Sequence, residues 1–466
     1  MTQHDIIVAP ATMSGGAIAI IRLSGEGSIE LVDNFFSPRN GRPLAGAKGH
    51  TIHYGEIIDP SNSIIDDVLV SVFRAPHSYT CEDGVEISCH GSQYIVQQII
   101  SLSLRHGARL AEAGEFTIRA YLAGRMDLSQ AEAVADMIAA SSEASHRMAS
   151  TQMRGGYSSQ LSSLRESLLN LVTLLELELD FSEEDVEFAD RGKLRDLMCE
   201  IRREITRLES SFKVGNAIKN GVAVAIIGEP NAGKSTLLNR LLNDDRAMVS
   251  DIAGTTRDII EESIIIDGIT YRFIDTAGIH TTEDKLEQMG IERSFRAINR
   301  AQIVIQLIDG TKGSFTPIEV SEDQTLIIVR NKVDLICDKV DLLKDDLHNT
   351  KLDPDFESDK KSNDIINISA RKNIGIEDLI NKLQSSLNTD SLYAGDPIVS
   401  SARHYDHLHH ANDSLSSALV ALADGTPTDL LCEEIRQTLH HIGSITGEIS
   451  TDDILGNIFS NFCIGK

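Results

Sequence analysis

The chain has 466 residues, a formal net charge of −27 and a pI of about 4.9. That length suffices for about three domains, and the acidity argues against a stand-alone nucleic-acid binder, because neutralising phosphates supplies most non-specific affinity. No apolar run reaches the roughly 18 residues of a membrane span, the start Met1-Thr2-Gln3-His4-Asp5 lacks a signal-peptide charge pattern, and the six cysteines have no metal-ligand spacing, so a reducing cytoplasm is expected.

Residues 1–120 read as mixed α/β. Strands are predicted at Ala17–Leu23, Val68–Phe73 and Val85–His90, and a helix at Ser92–His106. Residues 128–214 read as helical. Ser129-x-x-Glu132 predicts a capping box at the first of these helices. Leu161, Leu164, Leu168, Leu171 and Leu175 step by three and four, which puts them on one buried face.

The apolar run Val222–Ile227 predicts a buried strand, and Thr236–Leu242 a helix. Between them lies Gly228-Glu229-Pro230-Asn231-Ala232-Gly233-Lys234-Ser235. Strand, G-x-x-x-x-G-K-S, helix is the setting of a phosphate-binding loop. Backbone N–H groups of Asn231, Ala232, Gly233, Lys234, Ser235 and Thr236 crowd the phosphates there, and the helix N-terminus adds its dipole. Lys234 is expected to reach the β- and γ-phosphates and Ser235 to ligate magnesium.

Four further motifs follow in the order a GTPase needs. Ser250-Asp251-Ile252-Ala253-Gly254-Thr255-Thr256 offers a switch loop, with Thr256 as second magnesium ligand. The strand Tyr271–Ile274 ends in Asp275-Thr276-Ala277-Gly278, where Asp275 can hold magnesium through water and Gly278 can meet the γ-phosphate. The strand Leu326–Arg330 ends in Asn331-Lys332-Val333-Asp334. The Asp334 carboxylate matches the two adjacent donors of guanine, and adenine would leave it unpaired. Ile365–Ile368 leads to Ser369-Ala370-Arg371, whose backbone can meet the guanine O6. Ile279 stands where Ras-type enzymes carry a water-orienting Gln, so another polar residue must act. Glu283, Asp284, Glu287 and Glu292 follow, and the residues alone do not choose among them.

Residues 338–364 read as a charged surface helix and loop, and helices resume after 385. The simplest architecture inserts a nucleotide domain into a helical bundle. His404, Asp406, His407, His409 and His410 sit at helical spacing and read as a polar helix face rather than a metal site. The end, Ile458-Phe459-Ser460-Asn461-Phe462-Cys463-Ile464-Gly465-Lys466, is too apolar for a free tail and is expected to dock.

With these residues in hand, the chain resembles the MnmE (TrmE) family of tRNA-modification GTPases, within the TrmE-Era-EngA type of P-loop GTPases. The marks are Gly228–Ser235, Gly254-Thr255-Thr256-Arg257-Asp258, Gly124-Arg125-Met126-Asp127-Leu128-Ser129-Gln130-Ala131-Glu132-Ala133, and Phe462–Lys466. The resemblance covers essentially the whole length. It implies a fold of class α/β plus α: an N-terminal mixed α/β domain (1–120) that binds tetrahydrofolate and dimerises, a helical bundle (121–215 with 385–466), and an inserted Ras-like, doubly wound P-loop GTPase domain (216–384). It implies a heterotetramer with the FAD-dependent protein MnmG (GidA), which carries most tRNA contact. That complex adds an aminomethyl or carboxymethylaminomethyl group at C5 of the wobble uridine, with 5-formyl- or methylene-tetrahydrofolate as one-carbon source. It further implies that potassium, held by Asn231, Ser250, Ile252 and Thr255, offsets charge on the phosphates, and that Glu287 orients water. The folate positions it implies are Arg22, Glu86, Arg125 and Lys466, with Cys463 as the candidate nucleophile. His280 departs from an Arg found in many members. A ribosome-assembly or signalling switch GTPase without modification activity is the alternative, since it shares the Gly-Thr-Thr-Arg-Asp loop.

Overall fold

The computed structural model describes residues 5–12, 15–180, 191–243, 248–249, 262–274, 297–312, 315–321, 324–336, 365–386, 395–449, 452–459, 462 and 465. The chain divides into two compact units: Met1–Ala135, Gln152–Glu176 and Ile435–Lys466 form one, and Asp136–Thr151 with Leu177–Glu434 the other.

The first unit is built on a seven-stranded sheet. Its strands are β1 (Ile7–Pro10), β2 (Ile18–Ser24), β3 (Phe36–Pro38), β4 (Thr51–Ile58), β5 (Ile64–Phe73), β6 (Gly84–His90) and β7 (Arg109–Leu110). The order is β3-β4-β5-β6-β2-β1-β7, and only the β1–β7 pair is parallel. Strand residues alternate, so one face carries Ala19, Ile21, Leu23, Val68, Val70, Val72, Val85 and Ile87 into the core. Helices α1 (Ser28–Asp33) and α2 (Gln93–Arg105) cover that face with Ile29, Val32, Val96, Ile99 and Leu102. The opposite face is covered at its β1 end, where Phe116 of α3 (Glu115–Leu122) and Tyr79 pack on Ile7 and Ala9. Farther along, Ile18, Ile52, Tyr54 and Leu69 are exposed on it.

Helices follow: α4 (Leu128–Ala139), α5 (Glu143–Met153), α6 (Gly156–Asp180) and α7 (Arg191–Asn220). All five of the stepped leucines of α6 are buried, as their spacing predicts. The capping box is displaced by two residues from the predicted one. Asp127 Oδ1 accepts from the Gln130 N–H at 2.8 Å, and Gln130 Oε1 accepts from the Asp127 N–H at 3.0 Å. Ser129 lies inside the helix and donates its hydroxyl to Asp127. A carboxylate beside the positive helix end outcompetes the hydroxyl two residues later.

The second sheet contains β8 (Val222–Gly228), β9 (Met248–Val249), β10 (Glu262–Ile266), β11 (Ile269–Phe273), β12 (Ile303–Asp309), β13 (Thr325–Asn331) and β14 (Ile365–Asn367). Its order is β14-β13-β12-β8-β11-β10-β9, with β14 through β11 parallel and β10 and β9 antiparallel at the edge. Both faces are covered, so β12 is buried at every position. Helices α8 (Lys234–Leu242) and α9 (Ile376–Ser385) pack on one face through Leu237, Leu241, Leu379 and Leu383. Ala297, Ile298 and Ala301 pack on the other. The last helices are α10 (Ala402–Ala423), α11 (Thr428–Thr446) and α12 (Asp452–Phe459), and α10 packs along α7. No helix among the described residues is long and apolar enough to cross a membrane.

Candidate functional site

The parallel strands β8, β12, β13 and β14 end on one edge, where open α/β sheets place their ligands. The loop after β8 runs into α8, so its N–H groups surround the helix N-terminus. Gly233 has φ +101°, and a Cβ there would lie 2.3 Å from Asn331 Nδ2. Only glycine fits that approach. The Lys234 ammonium crosses the loop to the carbonyls of Gly228 (2.7 Å) and Glu229 (3.0 Å). Burial lowers its pKa below the usual lysine value.

Asn331 joins two motifs that lie far apart in sequence. Its Nδ2 donates to the Ala232 carbonyl at 2.8 Å, and its Oδ1 accepts from the Ala370 N–H at 3.0 Å. Both bonds are buried, and Asn331 is 3% exposed. The amide therefore fixes the phosphate loop against the Ser369-Ala370-Arg371 turn. Asp334 Oδ1 accepts from the Ser369 hydroxyl at 2.6 Å, which orients its carboxylate. Arg240 of α8 donates to the carbonyls of Ala370 and Arg371 at 3.2 and 3.4 Å, a tie that no sequence motif announces.

Asp309, at the end of β12, was also not singled out from sequence. It accepts from the Lys332 ammonium, and a strand-end Asp before Gly reads from sequence as an ordinary turn. Of the predicted nucleotide residues, Asn231, Ala232, Gly233, Lys234, Ser235, Thr236, Asn331, Lys332, Asp334, Ser369, Ala370 and Arg371 stand on this edge or its loops. Ser250, Asp251, Ile252, Ala253, Gly254, Thr255, Thr256, Asp275, Thr276, Ala277, Gly278 and Glu287 lie outside the described residues, as do His280, Cys463 and Lys466.

A second cluster lies on the β2–β6 pair of the first unit. Arg22 and Glu86 are directly opposite in register and bond, Nε to Oε1, at 2.9 Å. The Arg22 guanidinium lies 5.6 Å from the ring centres of both Tyr79 and Phe116. The Arg125 guanidinium lies 5.5 Å from the centre of the same Tyr79 ring and also bonds the Ser78 carbonyl. Arg22 Nη1 reaches the carbonyl of Gly465, so the chain end docks beside this pair. Thus Arg22, Glu86 and Arg125 come together around Tyr79. Sequence reasoning missed Tyr79 and Phe116, because nothing near them in the chain marks a ring for cation contact.

His409 is engaged by a carboxylate: its Nδ1 lies 2.7 Å from Glu209 Oε1 across the α7–α10 contact. Among the described residues no group of three or more His, Cys, Asp or Glu is arranged to hold a metal ion.

Sequence similarity to known proteins extends over the whole chain. Residues 128–463 match the family described as the MnmE helical domain, and residues 6–125 match the GTP-binding protein TrmE N-terminus. The tRNA modification GTPase MnmE of Flavobacterium johnsoniae is 50% identical over 473 residues, covering 100% of both chains. The proteins of that name from Bacteroides fragilis and Cytophaga hutchinsonii are each 48% identical, covering 100% of this chain and 100% and 99% of theirs. This chain belongs to the MnmE family of tRNA modification GTPases.

Proposed function

We propose that this protein hydrolyses GTP with activation by potassium. In our reading it works with an FAD-dependent partner of the MnmG (GidA) kind to add an aminomethyl or carboxymethylaminomethyl group at C5 of the wobble uridine of certain tRNAs. The observation that carries the nucleotide half is the Asn331 tie between the phosphate loop and the Ser369–Arg371 turn, with Asp334 oriented by Ser369. That arrangement presents one carboxylate for the paired donors of guanine at a fixed distance from the phosphate cradle.

The residues present suit the ions. Ser235, in the first turn of α8, carries a hydroxyl of the hard-oxygen type magnesium takes, and Thr256 is assigned as its companion. Asn231 is exposed at the loop with left-handed backbone, φ +64°, and carries an amide oxygen suited to a monovalent cation. Ser250, Ile252 and Thr255 complete the proposed potassium set, and Glu287 is the proposed water-orienting base. A bound potassium ion would offset negative charge on the phosphate oxygens.

For the first unit we propose reduced-folate binding at Arg22, Glu86, Arg125 and Lys466. Two guanidiniums beside an aromatic ring suit a ligand with carboxylates and a flat ring system. Homodimerisation of residues 1–120 is supported by the apolar row Ile18, Ile52, Tyr54 and Leu69, which are 65%, 69%, 50% and 46% exposed on the sheet face that also carries Arg22 and Glu86. The three-domain division at 1–120, 121–215 with 385–466, and 216–384 and a cytoplasmic location belong to the same reading. The acidic charge supports tRNA contact chiefly through the partner.

The test is GTP turnover in potassium chloride and in sodium chloride at equal ionic strength, with Glu287→Ala and Asn231→Lys beside the wild type. Strong activation by potassium, lost in both variants, is expected. Equal turnover in both salts would point instead to a ribosome-assembly or signalling switch.

A further inference from the structure

The turn after β12 holds a carboxylate whose role the motifs of the nucleotide site do not account for. Asp309 is almost fully buried, and its Oδ2 accepts from the Lys332 ammonium at 2.7 Å. Its Oδ1 accepts from both the N–H and the hydroxyl of Thr311, at 3.0 and 2.7 Å, so the carboxylate cannot rotate away. The bond from Lys332, with those from Thr311, holds its pKa down to about 2. The group is therefore an anion at any physiological pH. Lys332 itself has left-handed backbone, φ +65°, uncommon for a residue with a side chain. It stands between Asn331, which is tied to the phosphate loop, and Asp334, whose carboxylate Ser369 orients. Both ends of the lysine are thereby fixed: the backbone by its neighbours and the ammonium by Asp309.

We propose that Asp309 is a positioning residue of the nucleotide site, clamping the Lys332 ammonium so that the lysine stem stands as a preformed wall beside Asp334 for a guanine base. The inference rests on the reading that this site takes a guanine nucleotide. Its physical content is preorganisation. A free lysine stem samples many rotamers, and a ligand that packs on it must order it first. Asp309 orders the stem before the nucleotide arrives. Removing one partner of this largely buried pair also costs folding stability, so the clamp is read in the ligand affinity of the folded protein.

The experiment is titration of a fluorescent GDP analogue into the full-length protein and its variants. Asp309→Asn and Lys332→Met should each weaken binding about tenfold, equivalent to about 1.4 kcal/mol. The double variant should bind no more weakly than the weaker single, because the two changes remove one interaction. Asp309→Glu should regain part of the loss. Thr311→Val, which removes the hydroxyl bond and leaves those from the Thr311 N–H and Lys332, should weaken binding about threefold and serves if Asp309→Asn does not fold. Wild-type affinity in Asp309→Asn or Thr311→Val, or losses that multiply in the double variant, would overturn the clamp and leave the guanine reading standing. A wild-type protein that does not bind the GDP analogue would bring down both.

Discussion

The described residues form two seven-stranded sheets, and these expose their chemistry in opposite ways. The sheet from β8 to β14 is parallel through its centre and buried on both faces, so its functional groups appear only where strands end. Asn331, Asp309 and the phosphate loop all sit at such ends. The sheet from β1 to β7 is mostly antiparallel and leaves part of one face open, so side chains such as Arg22 and Glu86, the proposed ligand contacts, stand in mid-strand. The first arrangement separates core from site along the strand. The second separates them by alternate residues.

Asn331→Ala tests the strand-end arrangement most severely. It orphans the Ala370 N–H and the Ala232 carbonyl in a buried setting, at about 1–3 kcal/mol each. Denaturant unfolding should show that loss, and calorimetry with GDP should show nucleotide binding abolished. Folate binding by the same variant should be unaltered; a parallel loss would mean that the two sheets do not carry separate functions.

Arg22→Ala tests the mid-strand arrangement. It deletes the ion pair with Glu86 and the cation contacts to Tyr79 and Phe116. Reduced-folate affinity should fall roughly tenfold, the scale of one lost charge-assisted contact, while GTP turnover stays intact. An unchanged folate affinity would remove this cluster from the proposed site.

The smallest effect is expected at His409. The Glu209 hydrogen bond raises its pKa above 6.5, with Asp413 and Asp406 adding to the same direction. A raised folded-state pKa means the stabilisation is fully present below the unfolded value and is lost as pH rises through the folded one. Melting should therefore occur at a slightly lower temperature at pH 9 than at pH 6, and Glu209→Gln should erase that part of the difference. The ring is half exposed, so the shift will be small.

The two sheets also differed in how far they could be read from sequence. Val222–Ile227 and Leu326–Val329 are continuous apolar runs that lead into motif residues, so strand and site were legible together. The predicted strands of the first sheet also formed, yet the ring cluster around Tyr79 did not emerge, because it assembles from residues 22, 79, 86, 116 and 125. The capping box at α4 was misplaced for a local reason. Asp127 with Gln130 and Ser129 with Glu132 both fit the pattern, and only the geometry of the first turn chooses. Asp309 was invisible for the opposite reason: its partner, Lys332, lies one strand away in space and 23 residues away in sequence.

A mechanical consequence follows from the junction of α7 with β8. A 30-residue helix is about 45 Å long. Gly221 alone separates it from the strand that carries the phosphate loop, with φ +78° and the Arg272 side chain against it. A joint one residue long leaves little length of chain between strand and helix. On a helix of that length a rotation of about 5° at the phosphate end would sweep the far end through about 4 Å. The far end of α7 is thus the place where a turn of the phosphate end would be most magnified.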